Sequence, residues 1–543
     1  MFQKLREKPV YIFIAYIVVS IILYYPTIGA GMVFDYNGWT MKYIEGTYKD
    51  ALNSFGYPGL HQMEQFAFFT IYKLFKFNQF SWYIVFALLH GIASFIVFRF
   101  IFKWLSIVNV LNAFKISLLV SSLFLLSPLA ADVVVNKVTI HYLMSNIYIF
   151  SALYFLILYY ENSHFRNILL SISLFIFALF SLEISYVFPF IYSLIWLSLF
   201  FFNNKLYWSK KIILPLFYPF VILILFLLLH KLMIGRFIGH YGSEVHTTFN
   251  LKEIYSTVIR YFASYTVLFD YWPYKYKAFV SEKLLSFSGL LLPITFVIVG
   301  SIGVYGFLKK KKAIVIITLT FVLAVISLAP IANLYYAFMF PIENNRYSYL
   351  SSVFMYLFII LLVYQINLKK IRQFLLFFFF CINIFFLFKN IQVFSNSSKV
   401  AWGLINDFRW FDKEVIILVD PDIFNGAKMF STIKTPTSFS KSLLLHTGID
   451  RRNNIKSVYQ MNFTSLNDSV NVTKVSQSHY KIEMAQWGTW FMKDMIGATT
   501  FENDWCRTEI DKSGLNFYHL YLKEVDKDVV LIYASGNKWS VVK

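Results

Sequence analysis

Apolar runs, more than any repeating period, dominate this chain. Windows long enough to cross a bilayer lie at about 10–29, 82–103, 113–131, 142–160, 167–182, 186–203, 212–233, 286–307, 313–330, 349–366 and 373–390. A spanning helix needs roughly 20 consecutive, mostly apolar residues. The pattern therefore predicts a mainly α, polytopic membrane protein with about eleven transmembrane helices over 1–390. After Asn390 the pattern changes. Trp402, Ile405, Phe408 and Phe411 recur every three residues, which predicts an interfacial helix over 391–413 lying along the membrane surface. From Glu414 onward, alternating runs such as Val415–Val419, Tyr480–Met484 and Val529–Tyr533, separated by turn signals, predict a small α/β or β-rich soluble domain over 414–543.

Composition strengthens the membrane reading. Of 543 residues, 58% are hydrophobic and only 14% charged, whereas soluble domains carry roughly a quarter of their residues as charges. A net charge of +20 would suggest nucleic acid in a soluble protein, but its placement argues against a nucleic-acid partner. Lys4, Arg6 and Lys8, Lys210 and Lys211, Lys309 to Lys312, and Lys369, Lys370 and Arg372 all fall in short connectors between apolar windows. Positive connectors stay on the cytoplasmic side. With the N-terminus inside, eleven spans put the C-terminal domain outside, in the periplasm if the membrane is a bacterial inner membrane. The first window follows a basic segment as a signal peptide would, yet it is long for one and has no clear small-x-small cleavage site, so it reads as an uncleaved span. Cys381 and Cys506 fall at different depths and predict no disulfide.

The inside connectors are short and basic, while two outside loops, about 30–81 and 234–285, are long. Candidate chemistry follows them. Asp35, in Val33-Phe34-Asp35-Tyr36, stands just beyond the first span. There a carboxylate can accept a proton from an attacking hydroxyl, or hold a divalent cation such as Mg2+ or Mn2+ against a phosphate. It also reads as a solvated carboxylate at a helix end. The same loop holds His61 and Glu64. Asp132 follows Pro128 at the outer end of the third span, with Lys137 and His141 soon after, and Glu183 lies between the fifth and sixth spans. Ionisable groups at such depth mark a site, or else pair or snorkel to the interface. Arg346, beside Tyr347, precedes the tenth span; its guanidinium suits a lipid phosphate, and equally an interfacial anchor. Arg260 is a weaker cation of the same kind. No Walker loop, GxGxxG, HExxH, CxxC or GxSxG occurs, so ATP hydrolysis, dinucleotide chemistry and metalloprotease action have no support in sequence.

Four segments taken in order resemble a known family. His61 to Arg99, with His90 in its Leu-Leu-His, is similar to the first-loop helix and second span of the membrane glycosyltransferases of the C-type (GT-C) fold. The likeness is to the branch of the tetratricopeptide-bearing transmembrane O-mannosyltransferases and their bacterial relatives. Pro128 with Asp132 resembles that family's proline-plus-acid pattern. Ser181-Leu-Glu183 with Pro189 resembles its Ser-Lys-Glu…Pro, and Asn345-Arg-Tyr-Ser-Tyr-Leu-Ser-Ser352 its Glu-Arg-Tyr-x-Tyr-Leu-Pro-Ser. The chain departs from the pattern in several places. Tyr36 stands where the first loop often has a second acid, Leu182 replaces the lysine, Asn345 replaces the glutamate, His61 stands about where relatives have an arginine, and no tetratricopeptide repeats follow.

The resemblance implies transfer of a sugar from a polyprenyl-phosphate-linked or pyrophosphate-linked glycan to an extracytoplasmic protein acceptor on Ser or Thr. It casts Asp35 as general base. Arg346, with Lys137 or Arg260, would bind the donor phosphate, and His61, Glu64, Asp132, His141, Glu183 and Tyr347 would orient acceptor or sugar. Membrane lipid is the surrounding partner. A surface lipid or polysaccharide glycosyltransferase, a lipid-linked glycan transporter and a non-catalytic GT-C-like scaffold are the alternatives.

Overall fold

The computed structural model describes residues 8–33, 35–44, 46–53, 59–203, 210–239, 250–309, 311–334, 342, 345–430, 438–485, 490–492, 500–513, 515–523 and 529–542. The protein is mainly helical (68%), with a β-rich C-terminal domain. In chain order the helices are α1 (Val10–Tyr24), α2 (Asp35–Tyr43), α3 (Tyr48–Leu52), α4 (Gln62–Phe75), α5 (Gln79–Ile107), α6 (Ala113–Leu125), α7 (Ala131–Val135), α8 (Ile140–Asn162) and α9 (Phe165–Leu179). There follow α10 (Phe188–Phe202), α11 (Lys210–Ile234), α12 (Leu251–Thr266), α13 (Tyr274–Leu308), α14 (Lys312–Leu328), α15 (Tyr349–Tyr364) and α16 (Lys369–Asp407).

All eleven apolar windows fall on helices, but they do not all qualify as spans. Among the described residues, eight stretches are long and apolar enough to cross a bilayer, or ten if each of two bent pairs is one span. The window at 113–131 bends by 48° between α6 and α7, and that at 286–307 by 60° before Pro293. Prolines stand at both breaks, where the missing N–H and the ring interrupt the helical ladder. The window at 167–182 is α9, whose 15 residues extend about 22 Å, short of a hydrocarbon core of about 30 Å.

Helix packing is close where side chains are small and polar. A Cβ on Gly91 of α5 would meet the Cα of Ile17 on α1 at 2.9 Å, so only glycine allows that approach. Buried hydroxyls then bond across helices. Tyr16 of α1 meets Ser121 of α6 at 2.6 Å, His90 Nδ1 of α5 meets the Tyr349 hydroxyl of α15 at 2.8 Å, and Ser127 meets Tyr356 of α15 at 2.6 Å. Such bonds are the directional part of helix association, since lipid is as apolar as leucine. His90 is thereby a satisfied core residue, its Nε2 lying 3.1 Å from the Leu125 carbonyl.

The expected interfacial helix is corrected. Residues 391–407 continue α16 without a break, giving one helix of 39 residues. The three-residue recurrence of Trp402 and Ile405 marks the face of this helix that packs on the soluble domain: Val400, Leu404, Ile405 and Phe408 belong to that domain's core.

The soluble domain has two sheets. The first runs β11 (Lys538–Val541), β10 (Val529–Ser535), β1 (Glu414–Phe424), β3 (Ile455–Phe463), β6 (Trp490–Met492), with the short β2 (Ala427–Lys428) folded back on β1. Its central strands β10, β1 and β3 are parallel, and α17 (Ser438–Thr447) lies in the connection from β1 to β3. The second is an antiparallel sheet of β4 (Val470–Lys474), β5 (His479–Met484), β9 (Phe517–Leu522), β8 (Cys506–Ile510) and β7 (Phe501–Glu502). Tyr459 bonds Thr508 at 3.0 Å and Tyr518 donates to the Leu418 carbonyl at 2.6 Å, tying one sheet to the other.

This domain sits on the segment after α1. Asn37 of α2 donates to Ser442 of α17 at 2.7 Å, and Trp402 Nε1 donates to the Gly29 carbonyl at 3.0 Å. The ring of His446 packs between Trp402 and Phe77, with centroids at 4.5 and 5.4 Å.

Candidate functional site

The site begins at the break between α6 and α7. Pro128 cannot donate a backbone hydrogen bond, and the Ser127 hydroxyl accepts from Leu129 N at 3.2 Å, so the chain turns through a short 3-10 segment before α7. The buried Pro128 carbonyl is met from two sides: Asn345 Nδ2 donates at 3.3 Å and Asn390 Nδ2 at 2.9 Å. Asn390 also donates to the Tyr271 hydroxyl at 2.8 Å. One carbonyl thus anchors α7, the 3-10 segment Asn345–Ser348 and α16. Asn345 stands where the resembled pattern has glutamate, and an amide can donate where a carboxylate only accepts.

This anchoring sets Asp132 on α7 opposite Arg346, Nη1 to Oδ2 at 3.6 Å. Arg346 lies 4.9 Å over the Tyr347 ring, and its other terminal nitrogen donates to the Tyr347 hydroxyl at 3.2 Å. Its side chain is 23% exposed against 10% for Asp132. Lys428, on β2 of the soluble domain, lies within Coulombic range of Asp132.

A second cluster forms around Glu64. It occupies the first turn of α4, where helix N-terminal amides favour a carboxylate, and it is 3% exposed. His61 Nδ1 lies 3.5 Å from one carboxylate oxygen, and His141 Nδ1, from the first turn of α8, is in close contact with the other. A carboxylate between two imidazoles can pass a proton or bind a hydroxyl. Met63 N donates to the Phe180 carbonyl at 3.1 Å, which sets the Glu183–Val187 turn beside this cluster. The two clusters are joined through rings: His141 to Tyr142 at 4.6 Å, and Tyr142 to Tyr347 at 6.5 Å.

The remaining candidates are less central. Lys137 is 1% exposed, with its ammonium 4.9 Å over the Phe86 ring and donating to the Val134 carbonyl at 3.4 Å, inside the bundle. Glu183 is buried at the start of its 3-10 turn. Arg260 is half-buried on α12, next to Tyr261, a phenol within Coulombic reach of Tyr347, Tyr142 and Asp270. Asp35 begins α2, and its side chain lies outside the described residues. Its backbone is positioned all the same. Gly31, at φ +72°, packs against the Val135 and Asn136 backbone so tightly that a Cβ would clash, and Lys137 N donates to the Gly31 carbonyl at 3.4 Å. The segment leading to Asp35 therefore lies on the segment that follows Asp132. Among the described residues, no group of three or more His, Cys, Asp or Glu side chains is arranged to hold a metal ion.

No model of a known protein family matches this chain, and no curated protein matches it.

Sequence reasoning passed over Tyr142, Tyr261, Tyr271 and Lys428. The aromatic residues carried no signal in a chain that is 21% aromatic. Asn390 did carry one, as an amide at the end of an apolar window.

Proposed function

We propose that the protein is a GT-C-type membrane glycosyltransferase. It transfers a sugar or oligosaccharide from a polyprenyl-phosphate or pyrophosphate donor to an extracytoplasmic acceptor, a protein serine or threonine. The observation that carries this reading is the Asp132–Arg346 contact at a proline-broken helix, beside the buried Glu64 with its two imidazoles. Charged groups gathered at one end of a helix bundle, on irregular backbone, suit a phosphate-bearing lipid that enters from the membrane.

In the proposed reaction the acceptor hydroxyl attacks the anomeric carbon and its proton goes to Asp35. The bond from anomeric carbon to phosphate oxygen breaks, and the departing phosphate takes up the electron pair against Arg346. The configuration inverts. Stabilising charge where it develops is the largest single contribution open to such a site. Tyr347 would hold the guanidinium in place, and Glu64 with His141 and His61 would orient acceptor or sugar. Mg2+ or Mn2+ would supply further charge at the phosphate, with Asp35 as a ligand. On this reading the N-terminus lies in the cytoplasm with the basic connectors, and α9 serves as a short eleventh crossing beside the ten, so that the soluble domain lies in the periplasm of a bacterial inner membrane.

A second reading has one observation in its favour. Arg346 already has Asp132 as a counter-ion, an arrangement that a non-catalytic shell would also keep. Deleting the gene and profiling envelope proteins, lipids and surface polysaccharides by mass spectrometry separates the two. Loss of glycan from proteins, rescued by wild type and not by Asp35→Asn, is the expected result. A changed lipid or polysaccharide with intact protein glycans would move the acceptor. Full rescue by Asp35→Asn would favour a scaffold or transporter.

A further inference from the structure

The carboxyl end of β1 carries two carboxylates that the proposed transfer does not use. Asp420 is 1% exposed and Asp422 0%. In the parallel pairing of β1 with β3, Asp420 is opposite Gln460, so the two side chains share a face of the sheet. Asn462, two residues farther along β3, shares it too. The register slips between Pro421 and Ile423, so Asp422 is the extra residue of a bulge, a device that re-aims a side chain. It stays within Coulombic range of Asp420.

This face is polar and dry. Gln460 and Asn462 are 8% and 0% exposed. Among the described residues Gln460 Oε1, Asn462 Oδ1 and Nδ2, and Asp420 Oδ1 meet no hydrogen-bond partner. Buried polar atoms are nearly always satisfied, and a cluster that is not calls for a bound group. Lys428 lies opposite Ile423 at this edge.

The location is one where domains take ligands. The parallel neighbours of β1, β3 and β10, lie on its two sides, so the carboxyl end of β1 is a topological switch point, where a crevice opens between diverging connections. The same end meets the membrane helices: Ala427 of β2 is buried in the membrane-domain core.

We propose that Asp420, Asp422, Gln460 and Asn462 form a binding site for a hard divalent cation, with Ca2+ preferred. The donors are all oxygens, two carboxylates and two amide carbonyls, with no imidazole or thiolate to favour zinc or copper. Ca2+ accepts six to eight oxygen ligands in irregular geometry and takes amide and backbone carbonyls readily, whereas Mg2+ demands a near-ideal octahedron. The site does not depend on the transferase reading.

The test uses the full chain, purified in detergent and stripped with EDTA, titrated with Tb3+ as a luminescent Ca2+ probe and then competed with Ca2+ or Mg2+. Saturable Tb3+ binding, displaced by Ca2+ before Mg2+, is expected, with Ca2+ raising the unfolding temperature of the wild type. Asp420→Asn relieves carboxylate repulsion, so it should fold without the ion. It should weaken Tb3+ by at least about tenfold, a loss seen even for groups one shell removed from a metal, and Gln460→Leu should weaken it as well. No saturable Tb3+ or Ca2+ binding to the wild type would overturn the proposal, as would equal binding by the wild type and both variants. Neither readout involves glycosyl transfer, so failure here leaves the transferase reading standing.

Discussion

The two ends of the helix bundle handle charge in opposite ways. At one end Glu64, Asp132 and Glu183 are buried, Glu64 in the first turn of α4, Asp132 just beyond the break at Pro128 and Glu183 in a 3-10 turn, with imidazoles set against Glu64 and a guanidinium against Asp132. At the other end Lys103 meets Glu161 at 2.7 Å, each side chain about a third exposed, where α5 and α8 run out as regular helix. The first arrangement costs desolvation and is kept where binding or chemistry can use it. The second is a solvated pair, whose attraction water largely screens. Charge alone does not single out a candidate site; charge withdrawn from water at helix starts and breaks does.

That contrast can be broken experimentally, and the largest effect is expected at Arg346. Arg346→Ala should cut transfer from a defined polyprenyl-phosphate donor by about 100- to 1000-fold, the usual loss on removing a transition-state donor, with Arg346→Lys intermediate. An unchanged rate in a correctly folded variant would remove Arg346 from the phosphate. Next comes Glu64→Leu, which leaves His61 and His141 facing each other without their carboxylate. Breaking such a buried arrangement costs about 3 kcal/mol, to be read as a lowered unfolding temperature, whereas Lys103→Ala should cost under about 1 kcal/mol. Equal shifts would erase the distinction between the two ends.

A smaller effect is expected at the junction of the two domains. Burial against Trp402 and Phe77 pushes His446 down to about 4, below an unfolded value near 6.5. Between those values the unfolded chain binds the proton and the folded protein does not. Stability from this group is therefore intact above about pH 6.5, and falls by about 1.4 kcal/mol per unit as pH drops toward 4. Thermal unfolding scanned over that window should show the slope, and His446→Phe should flatten it. A slope unchanged by His446→Phe would assign the acid sensitivity elsewhere.

The fold was legible to different depths. Among the described residues, apolar length alone located the helices long enough to cross a bilayer, because lipid demands long uninterrupted runs. It could not tell a straight span from a bent one: α6 with α7 reads as one window, and only Pro128 hints at the bend. The mistaken surface helix has a plain cause. A three-residue recurrence reports a single apolar face, and that face is covered equally well by a protein domain as by a membrane. At the site, Asp132, Arg346, Glu64 and His141 were each visible as ionisable groups at helix ends, but nothing in sequence joined residues 64 and 141 or 132 and 346. Lys428, nearly 300 positions from Asp132, had no local signal at all. The buried oxygens of β1 and β3 were hidden for the same reason, since Gln460 and Asn462 look like surface residues until the strand is placed in the middle of a sheet.

The unbroken α16 has a mechanical meaning. Its 39 residues extend about 58 Å, and a bilayer core takes up about half of that. The rest is a shaft whose rotational phase is fixed residue by residue. Asn390 donates to the Pro128 carbonyl and Trp402 to the Gly29 carbonyl, while Leu404 and Asp407 accept from two nitrogens of Trp539. One residue added between Asn390 and Trp402 would turn everything beyond it by about 100°, swinging β2 and its lysine away from Asp132. Seven added residues would restore the heading within about 20° while lifting the domain by about 10 Å. The chain thus keeps angle and height as one inherited quantity, and its length in this shaft can drift only by changes that satisfy both.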